Sequence, residues 1–200
     1  MKTMRPGLIQ LEIGVQSTNP QTIKAIRRTM DFEKLKRIVE QIHSFGNIHQ
    51  HLDLIAGLPY EGYDSFHKSF CDVYALRPEQ FQLGFLKVLK GSYMEEKKDD
   101  YGLVYKGMPP YEVLYTKWLP YEDTLRLKGI EEMVEKAQKL LNATMLSNPY
   151  VLVATAIASV IAVMVSMKTE TELMQAADED YEAQKQKVIE AEEEHKRKME

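Results

Sequence analysis

The chain has 200 residues, of which 44% are hydrophobic and 28% are charged, as in globular proteins of one or two domains. Its net charge of −4 gives no case for a nucleic-acid-binding protein. The single cysteine, Cys71, excludes a disulfide framework or a Cys-rich metal site made by this chain alone, and it favours a reducing, cytoplasmic compartment.

Three strand–helix units follow one another from the N-terminus. Alternating hydrophobic residues predict strands at about residues 8–16, 49–56 and 80–88, and helical spacing predicts helices after each of the first two. The predicted N-caps are Asn19, Asp31 and Asp64. Repeated units of this kind favour an α/β fold, a partial parallel (β/α) barrel of about three strands over residues 1–90.

The rest of the chain divides into three further segments by composition. Residues 91–136 are polar and rich in turn formers, and then helical. Residues 137–168 predict a long apolar helix, and residues 169–200 predict a charged helix or coiled coil. Within the apolar segment, residues 150–167 carry no charge, which is near the lower limit for a membrane span. Membrane association and burial against other helices are both open interpretations of this segment.

Polar residues occupy one face of the first strand, within the stretch LEIGVQSTNP. Glu12, Gly14 and Gln16 alternate with apolar residues, so they point to the face opposite to the apolar one. Ligands of parallel α/β folds bind at the carboxyl ends of strands, where Gln16 and Asp53 are expected to lie. Packing of polar residues against one another inside a barrel is the competing interpretation.

Two further patterns have alternative interpretations. His49 and His51 alternate on the second strand with Asp53 on the same face, which suits a metal site of a small hydrolase. Interior packing or solvent exposure is the favoured interpretation, because the histidines precede the ligand end of the strand. Cys71 lies within a predicted helix, and a structural role is favoured over a nucleophilic one.

Beyond periodicity, the motifs resemble a known superfamily. GVQS at residues 14–17, Arg28, and DLIAGLP at residues 53–59 resemble the later half of the barrel of radical S-adenosylmethionine (SAM) enzymes. This superfamily includes oxygen-independent coproporphyrinogen oxidases. The stretches VYALRPEQFQLGFLKVLKG and PPYEVLYTKWL are most similar to the members that carry an N-terminal cobalamin-binding domain and a C-terminal extension. The resemblance covers about residues 8–135.

The resemblance implies that four residues contribute to a SAM site. Gln16 would help to hold SAM, Arg28 would contact the region of its carboxylate, and Asp53 would bond to its ribose or nearby groups. A backbone group near Lys87 would contact the adenine. These residue types suit those partners, because carboxylate and amide oxygens accept from hydroxyls and a guanidinium pairs with a carboxylate.

The same resemblance implies cofactors whose binding sites this chain does not complete. The superfamily binds a [4Fe–4S] cluster through three cysteines of a CxxxCxxC loop, and the related group also uses cobalamin, whereas this sequence has Cys71 alone. We therefore expect a C-terminal fragment with no catalytic residue of its own, inactive by itself. Its partner would be the missing N-terminal half of the barrel, and its open strand edges favour self-association.

The last third of the chain resembles a different kind of protein. An Asn–Pro entry, an Ala/Val-rich apolar stretch and a charged segment from about residue 137 to 200 are similar to phage tail tape-measure proteins. This similarity predicts a junction between two unrelated sequences near residues 135–138. A structural or interaction protein of the tape-measure type is accordingly the alternative to the enzyme-derived interpretation.

Overall fold

A three-stranded parallel sheet is the centre of the fold. The computed structural model describes residues 1–144. Its strands are β1 (Gln10–Gln16), β2 (His49–Ala56) and β3 (Gln80–Phe85), paired in the order β1-β2-β3. The predicted bounds of β2 are confirmed, whereas β1 begins two residues later and β3 ends three residues earlier than predicted. The predicted α/β fold with a parallel sheet of three strands is confirmed, and it is consistent with a partial barrel.

Helices return the chain between the strands. They are α1 (Pro20–Ala25), α2 (Phe32–His43) and α3 (Tyr63–Tyr74). The side chain of Asn19 accepts a hydrogen bond from the backbone N–H of Gln21, and that of Asp31 accepts one from Lys34. The two predicted N-caps before α1 and α2 are therefore confirmed. Each satisfies a backbone donor that the first helical turn leaves without a partner.

The third predicted N-cap, Asp64, is wrong, because α3 begins at Tyr63 and its N-cap is Gly62. Gly62 lies so close to a distant segment that an added Cβ would be 2.7 Å from the backbone oxygen of Trp118. This close approach fixes where the helix begins. Asp64 instead lies in the first turn, where a carboxylate interacts favourably with the helix dipole.

Within residues 1–144, helices cover one face of the sheet, and this face is apolar. Alternate residues of the strands point to this face and are almost fully buried: Val15, Leu52, Leu54, Ala56, Phe81, Leu83 and Phe85. They share the core with buried residues of the helices, among them Val39 of α2 and Phe66, Phe70 and Val73 of α3. The rings of Phe70 and Phe81 meet at 4.9 Å, edge to face. The opposite face of the sheet is polar.

Residues after β3 form a small second sheet and a long helix. The elements are α4 (Tyr93–Glu96), α5 (Lys98–Tyr101), β4 (Val104–Tyr105), β5 (Val113–Tyr115) and α6 (Tyr121–Thr144). The polar segment predicted over residues 91–110 therefore contains two short helices and a strand. The helix predicted after it is confirmed. α6 packs under β3 and is buried through Leu127, Ile130 and Val134.

The segment before β5 pairs with the chain just beyond β3. The backbone N–H of Val88 donates to Tyr111, and that of Val113 donates to Leu86. The N–H of Leu86 still donates to Ala56 at the end of β2, and residues 86–88 take part in this antiparallel pairing beyond the end of β3. Gly57, at the end of β2, lies against Val113 of this pairing and has φ of +82°. A Cβ added to Gly57 would be 2.5 Å from Cγ1 of Val113.

Of the apolar helix predicted over residues 137–168, residues 137–144 form the end of α6, and the rest lies outside the described residues. The charged segment predicted over residues 169–200 also lies outside them. Within residues 1–144, no helix is both long enough and apolar enough to cross a membrane.

A buried carboxyl group joins the end of β1 to α3. Glu61 is 1% exposed, and its Oε1 accepts hydrogen bonds from the hydroxyls of Ser17 at 2.6 Å and Ser69 at 3.0 Å. Ser69 in turn accepts from the backbone N–H of Thr18 at 3.0 Å. Burial raises the pKa of Glu61 to about 7, although both serine hydroxyls act to lower it. Nothing in the sequence pattern marks this glutamate as buried.

The contact between Gly57 and Val113 should be visible in a double-mutant cycle. Gly57→Ala should destabilise the chain by about 2 kcal/mol or more, because alanine is strained at positive φ and its Cβ overlaps Val113. Val113→Ala removes the overlapping methyl groups. Urea unfolding should therefore show that the two substitutions together cost less than the sum of their separate effects. Additive costs would contradict the contact.

Glu61 should give the stability of the chain a specific pH dependence. Its pKa is raised in the folded state, so between about pH 4.5 and 7 the unfolded state binds fewer protons than the folded state. The free energy of unfolding should therefore fall as the pH rises through this range, by up to about 3 kcal/mol for a shift of this size. Glu61→Gln should remove this fall in urea titrations at several pH values. The exposed control Glu40→Gln should keep it, and an equal slope in both variants would contradict the assignment.

Candidate functional site

A bulge at the carboxyl end of β1 turns Gln16 towards the polar face of the sheet. Gly14 pairs with Asp53 but Gln16 pairs with Leu54, so two residues of β1 oppose one residue of β2. Gln16 has φ of 69°, an uncommon value for a residue other than glycine. Its side-chain Nε2 donates a hydrogen bond of 3.1 Å to Oδ2 of Asp53. The bulge thus joins two of the predicted site residues.

Asp53 keeps one oxygen available on this face. Its Oδ1 is buried and has no hydrogen-bond partner among the described residues. Burial raises the pKa of Asp53, against the opposing effects of the backbone N–H of Val15, of His51 and of Gln16. A buried carboxylate oxygen without a partner is unfavourable, so this atom is suited to accept a hydrogen bond from a bound molecule.

Arg28 reaches the same place from the end of α1. The helix ends with Arg27 in the left-handed conformation at φ 57°, and the N–H of Arg28 then donates to the carbonyl of Ile23. This is the Schellman pattern of a helix C-terminus, and it reverses the direction of the chain. Arg28 therefore follows the helix, and its side chain extends back over β1.

Gly14 is the point on which the three side chains converge. A Cβ added to Gly14 would lie 2.8 Å from Nε2 of Gln16, 3.3 Å from Nη1 of Arg28 and 3.5 Å from Oδ1 of Asp53. The three predicted residues are thus brought together over a residue that has no side chain. In the sequence, Gly14 stood out only as a residue without a side chain on the polar face of β1.

The polar face continues below these residues as a cavity of about 430 Å³. Its lining residues are Glu12, Ile13, Gly14, His51, Asp53 and Gln82. They lie in rows set by the strand register, with Glu12 beside His51 and Gly14 beside Asp53. The Nε2 atom of His51 is buried without a hydrogen-bond partner among the described residues. The predicted position of Glu12 on the same face as Gln16 is confirmed.

The other predicted candidates lie elsewhere or form no group. Lys87 is exposed beyond the end of β3, in an antiparallel bridge with Glu112, and does not line the cavity. In residues 1–144, no set of three His, Cys, Asp or Glu side chains is close enough to hold a metal ion, so the alternative of a metal site at His49, His51 and Asp53 has no structural support. Burial, with a smaller contribution from Asp72, raises the pKa of the Cys71 thiol.

The arrangement can hold a polar molecule that carries a carboxylate at one position and a hydroxyl or N–H group at another. The guanidinium of Arg28 suits a carboxylate, and the free oxygen of Asp53 suits a hydroxyl or an N–H group. These donors and acceptors fit the hydroxyl and carboxylate groups of SAM. The chain's one thiol, Cys71, does not fit a [4Fe–4S] cluster, which needs several thiolate ligands.

Comparison with known proteins gives partial matches. Residues 99–148 match a family described as a protein of unknown function, DUF4080. This match runs through residues 135–138, where the sequence predicts a junction, and α6 is continuous there.

Two curated relatives are oxygen-independent coproporphyrinogen III oxidases. The one from Pseudomonas aeruginosa is 29% identical over 46% of this chain and 20% of its own length, and the one from Paracoccus denitrificans is 34% identical over 38% and 17%. A solved structure of coproporphyrinogen III oxidase from Escherichia coli, described as a radical SAM enzyme, also matches. The match covers 66% of this chain and 27% of the chain in that structure, with 20% sequence identity and a TM-score of 0.47.

The chain therefore spans about one fifth of the length of the curated relatives that it matches. At that partial coverage, the comparison shows a similarity between this chain and one part of the oxygen-independent coproporphyrinogen III oxidases.

Proposed function

We propose that this chain supplies part of the SAM site of a radical SAM enzyme. The observation that carries the proposal is the convergence of Gln16, Arg28 and Asp53 over Gly14, with Oδ1 of Asp53 buried and without a partner among the described residues. The similarity to oxygen-independent coproporphyrinogen III oxidases supports it. In the superfamily, SAM bound to a reduced [4Fe–4S] cluster is the source of the radical.

Each residue has a separate role in this proposal. Oδ1 of Asp53 accepts a hydrogen bond from a ribose hydroxyl, while Oδ2 is held in place by the amide of Gln16. Arg28 pairs with the carboxylate of the methionine portion, as an exposed guanidinium placed by the turn after α1. Lys87 stays a proposed backbone contact to the adenine ring, since it lies at the carboxyl end of β3.

The chain is proposed to depend on a partner segment for radical chemistry. Within the described residues, β1 and β3 are the edge strands of the sheet, and the chain just beyond β3, at residues 86–88, pairs with residues 111–113. A missing N-terminal half of the barrel, with the cluster ligands, would join at the free edge of β1, which is the first strand of this chain. The same free edge is the basis of the proposed self-association in the absence of that partner.

Two finer assignments rest on sequence patterns. The relationship to the cobalamin-associated members is proposed on the stretches around residues 73–91 and 109–119, the second of which lies within the DUF4080 match. The tape-measure alternative, with an apolar helix that inserts into a membrane or packs against other helices, rests on residues beyond the described part of the chain.

SAM binding by the full chain tests the site directly. Isothermal titration calorimetry should show weak, saturable binding of SAM, and Asp53→Ala should weaken it by about tenfold, the loss expected for a charged hydrogen bond. Gly14→Ala should have a similar effect, because its Cβ displaces Gln16 and Arg28. The exposed α1 variant Lys24→Ala is the control. Binding that Asp53→Ala and Gly14→Ala leave unchanged would refute the proposed site.

Reconstitution tests the proposed absence of a cluster on this chain. Anaerobic incubation with iron and sulfide, followed by desalting, should leave no absorbance or electron paramagnetic resonance signal of a [4Fe–4S] cluster. Cys71→Ser should give the same spectrum as the wild-type chain. A stable cluster signal that Cys71→Ser removes would overturn this part of the proposal.

A further inference from the structure

Four aromatic side chains from separate parts of the chain meet near the carboxyl end of the sheet. They are Tyr60, Tyr93, Tyr101 and Trp118, here called the aromatic platform. The rings of Tyr60 and Trp118 are 4.4 Å apart, and the Tyr101 ring lies 6.1 Å from each of them. Tyr93 joins the group through its hydroxyl, 3.5 Å from that of Tyr101. The platform is not part of the cavity on the polar face.

Tyr60 is the exposed member of the platform and is held in an unusual conformation. It follows Gly57-Leu58-Pro59 at the carboxyl end of β2, has φ of 63°, and is 41% exposed. A left-handed conformation is costly for a large residue other than glycine or asparagine, and such strain concentrates at ligand sites.

The backbone around Tyr60 is fixed by neighbouring segments. Asn19, the N-cap of α1, donates from Nδ2 to the backbone oxygen of Tyr60 at 2.9 Å, and Thr22 donates to that of Pro59 at 2.9 Å. On the other side, Gly62 lies against the backbone of Trp118. The exposed ring is therefore presented on a rigid loop, which lowers the entropy cost of binding.

A cation without an acidic partner lies beside these rings. The guanidinium of Arg27 stacks on Tyr93, 3.6 Å from the ring centroid. No ion pair joins Arg27 to a carboxylate within residues 1–144. The nearby Lys97 is different, because it is paired with Asp100 at 2.8 Å. Arg27 can thus donate its N–H groups to an anion while one of its faces covers Tyr93.

We propose that the aromatic platform and Arg27 bind a planar aromatic molecule that carries a carboxylate or a phosphate. The ring of the molecule stacks on Tyr60, and its anionic group pairs with Arg27. The site is separate from the SAM site, although the two adjoin, since Arg27 and Arg28 are consecutive and diverge to different sides. The proposal does not depend on SAM binding.

The single tryptophan makes the platform directly observable. Because the chain has one Trp, a ¹⁵N-labelled sample gives one indole cross-peak, which belongs to Trp118. The probes are 2-naphthoate and 2-naphthyl phosphate, with 2-naphthalenemethanol as the ring without a charge and cyclohexanecarboxylate as the charge without a flat ring. At least one of the two anionic naphthyl probes should shift the cross-peak saturably, and which of them binds more tightly distinguishes a carboxylate from a phosphate ligand. Each incomplete probe should bind at least about tenfold more weakly.

Two variants and their controls separate the ring from the charge. Tyr60→Asn removes the stacking ring but tolerates the left-handed conformation, and it should abolish the shift. Arg27→Gln should weaken the anionic probe by about tenfold and bring its affinity to that of 2-naphthalenemethanol. Lys24→Gln, an exposed cation of α1, and Tyr115→Ala, an exposed tyrosine of β5, should bind like the wild-type chain.

The outcome is decisive in either direction. The dispersion of the remaining amide cross-peaks reports whether each variant is folded, so a lost shift in a folded Tyr60→Asn chain supports the proposal. Asp53→Ala should keep the shift, which distinguishes this site from the SAM site. Absence of a saturable shift with both anionic probes, equal affinity for all probes, or full affinity in Arg27→Gln would overturn the proposal.

Discussion

The missing side chain at Gly14 is the constraint on which the polar site depends. A Cβ at this position would be 2.8 Å from Nε2 of Gln16 and 3.3 Å from Nη1 of Arg28, so above an alanine the Gln16 amide would have to move away and the guanidinium would have to shift slightly. Two left-handed residues deliver those side chains: Gln16 at the bulge of β1, and Arg27 at the end of α1. Each conformation costs free energy for a residue with a Cβ, and each turns a side chain towards the carboxylate of Asp53. Two strained backbone positions in separate segments therefore place their neighbouring side chains at one point of the sheet.

The sequence predicted those parts of the fold that repeat locally. The alternation of polar and apolar residues over His49–Ala56 gave the bounds of β2 and the face on which Asp53 lies, because one face is packed against helices and the other is not. It did not predict the bulge after Gly14, because Val15 and Gln16 continue the alternation, although a glycine inside a strand is itself a sign of a bulge. Nor could it place Arg28 outside the helix, because Arg27 is an uncommon residue for a left-handed helix end.

The remaining differences come from contacts between distant segments. Asp64 has a common N-cap side chain, but α3 begins earlier because Gly62 is held against Trp118, 56 positions further along the chain. Similarly, the residues after Phe85, which the sequence assigned to the third strand, pair with Tyr111–Val113. Glu61 reads as a surface residue, and only the packing of Ser17 against Ser69 shows that it is buried. The periodicity of a sequence carries no information about contacts between distant segments. The surroundings of Tyr60 and Glu61 could therefore be seen only in the structure.

The segment beyond β3 has two consequences for how ligands approach the sheet. Its pairing with residues 86–88 occupies the outer side of the chain just beyond β3, while in the described part of the chain β1 and β3 themselves are edge strands. Parallel sheets are normally covered on both faces, and the face that no helix of residues 1–144 covers carries Glu12, His51 and Asp53, which an apolar layer could not cover without a large desolvation cost. A segment that completes the sheet must therefore bring polar groups or enclose a polar ligand. The same segment beyond β3 supports Tyr60 through Trp118, so it shapes the surface at the carboxyl end of the sheet.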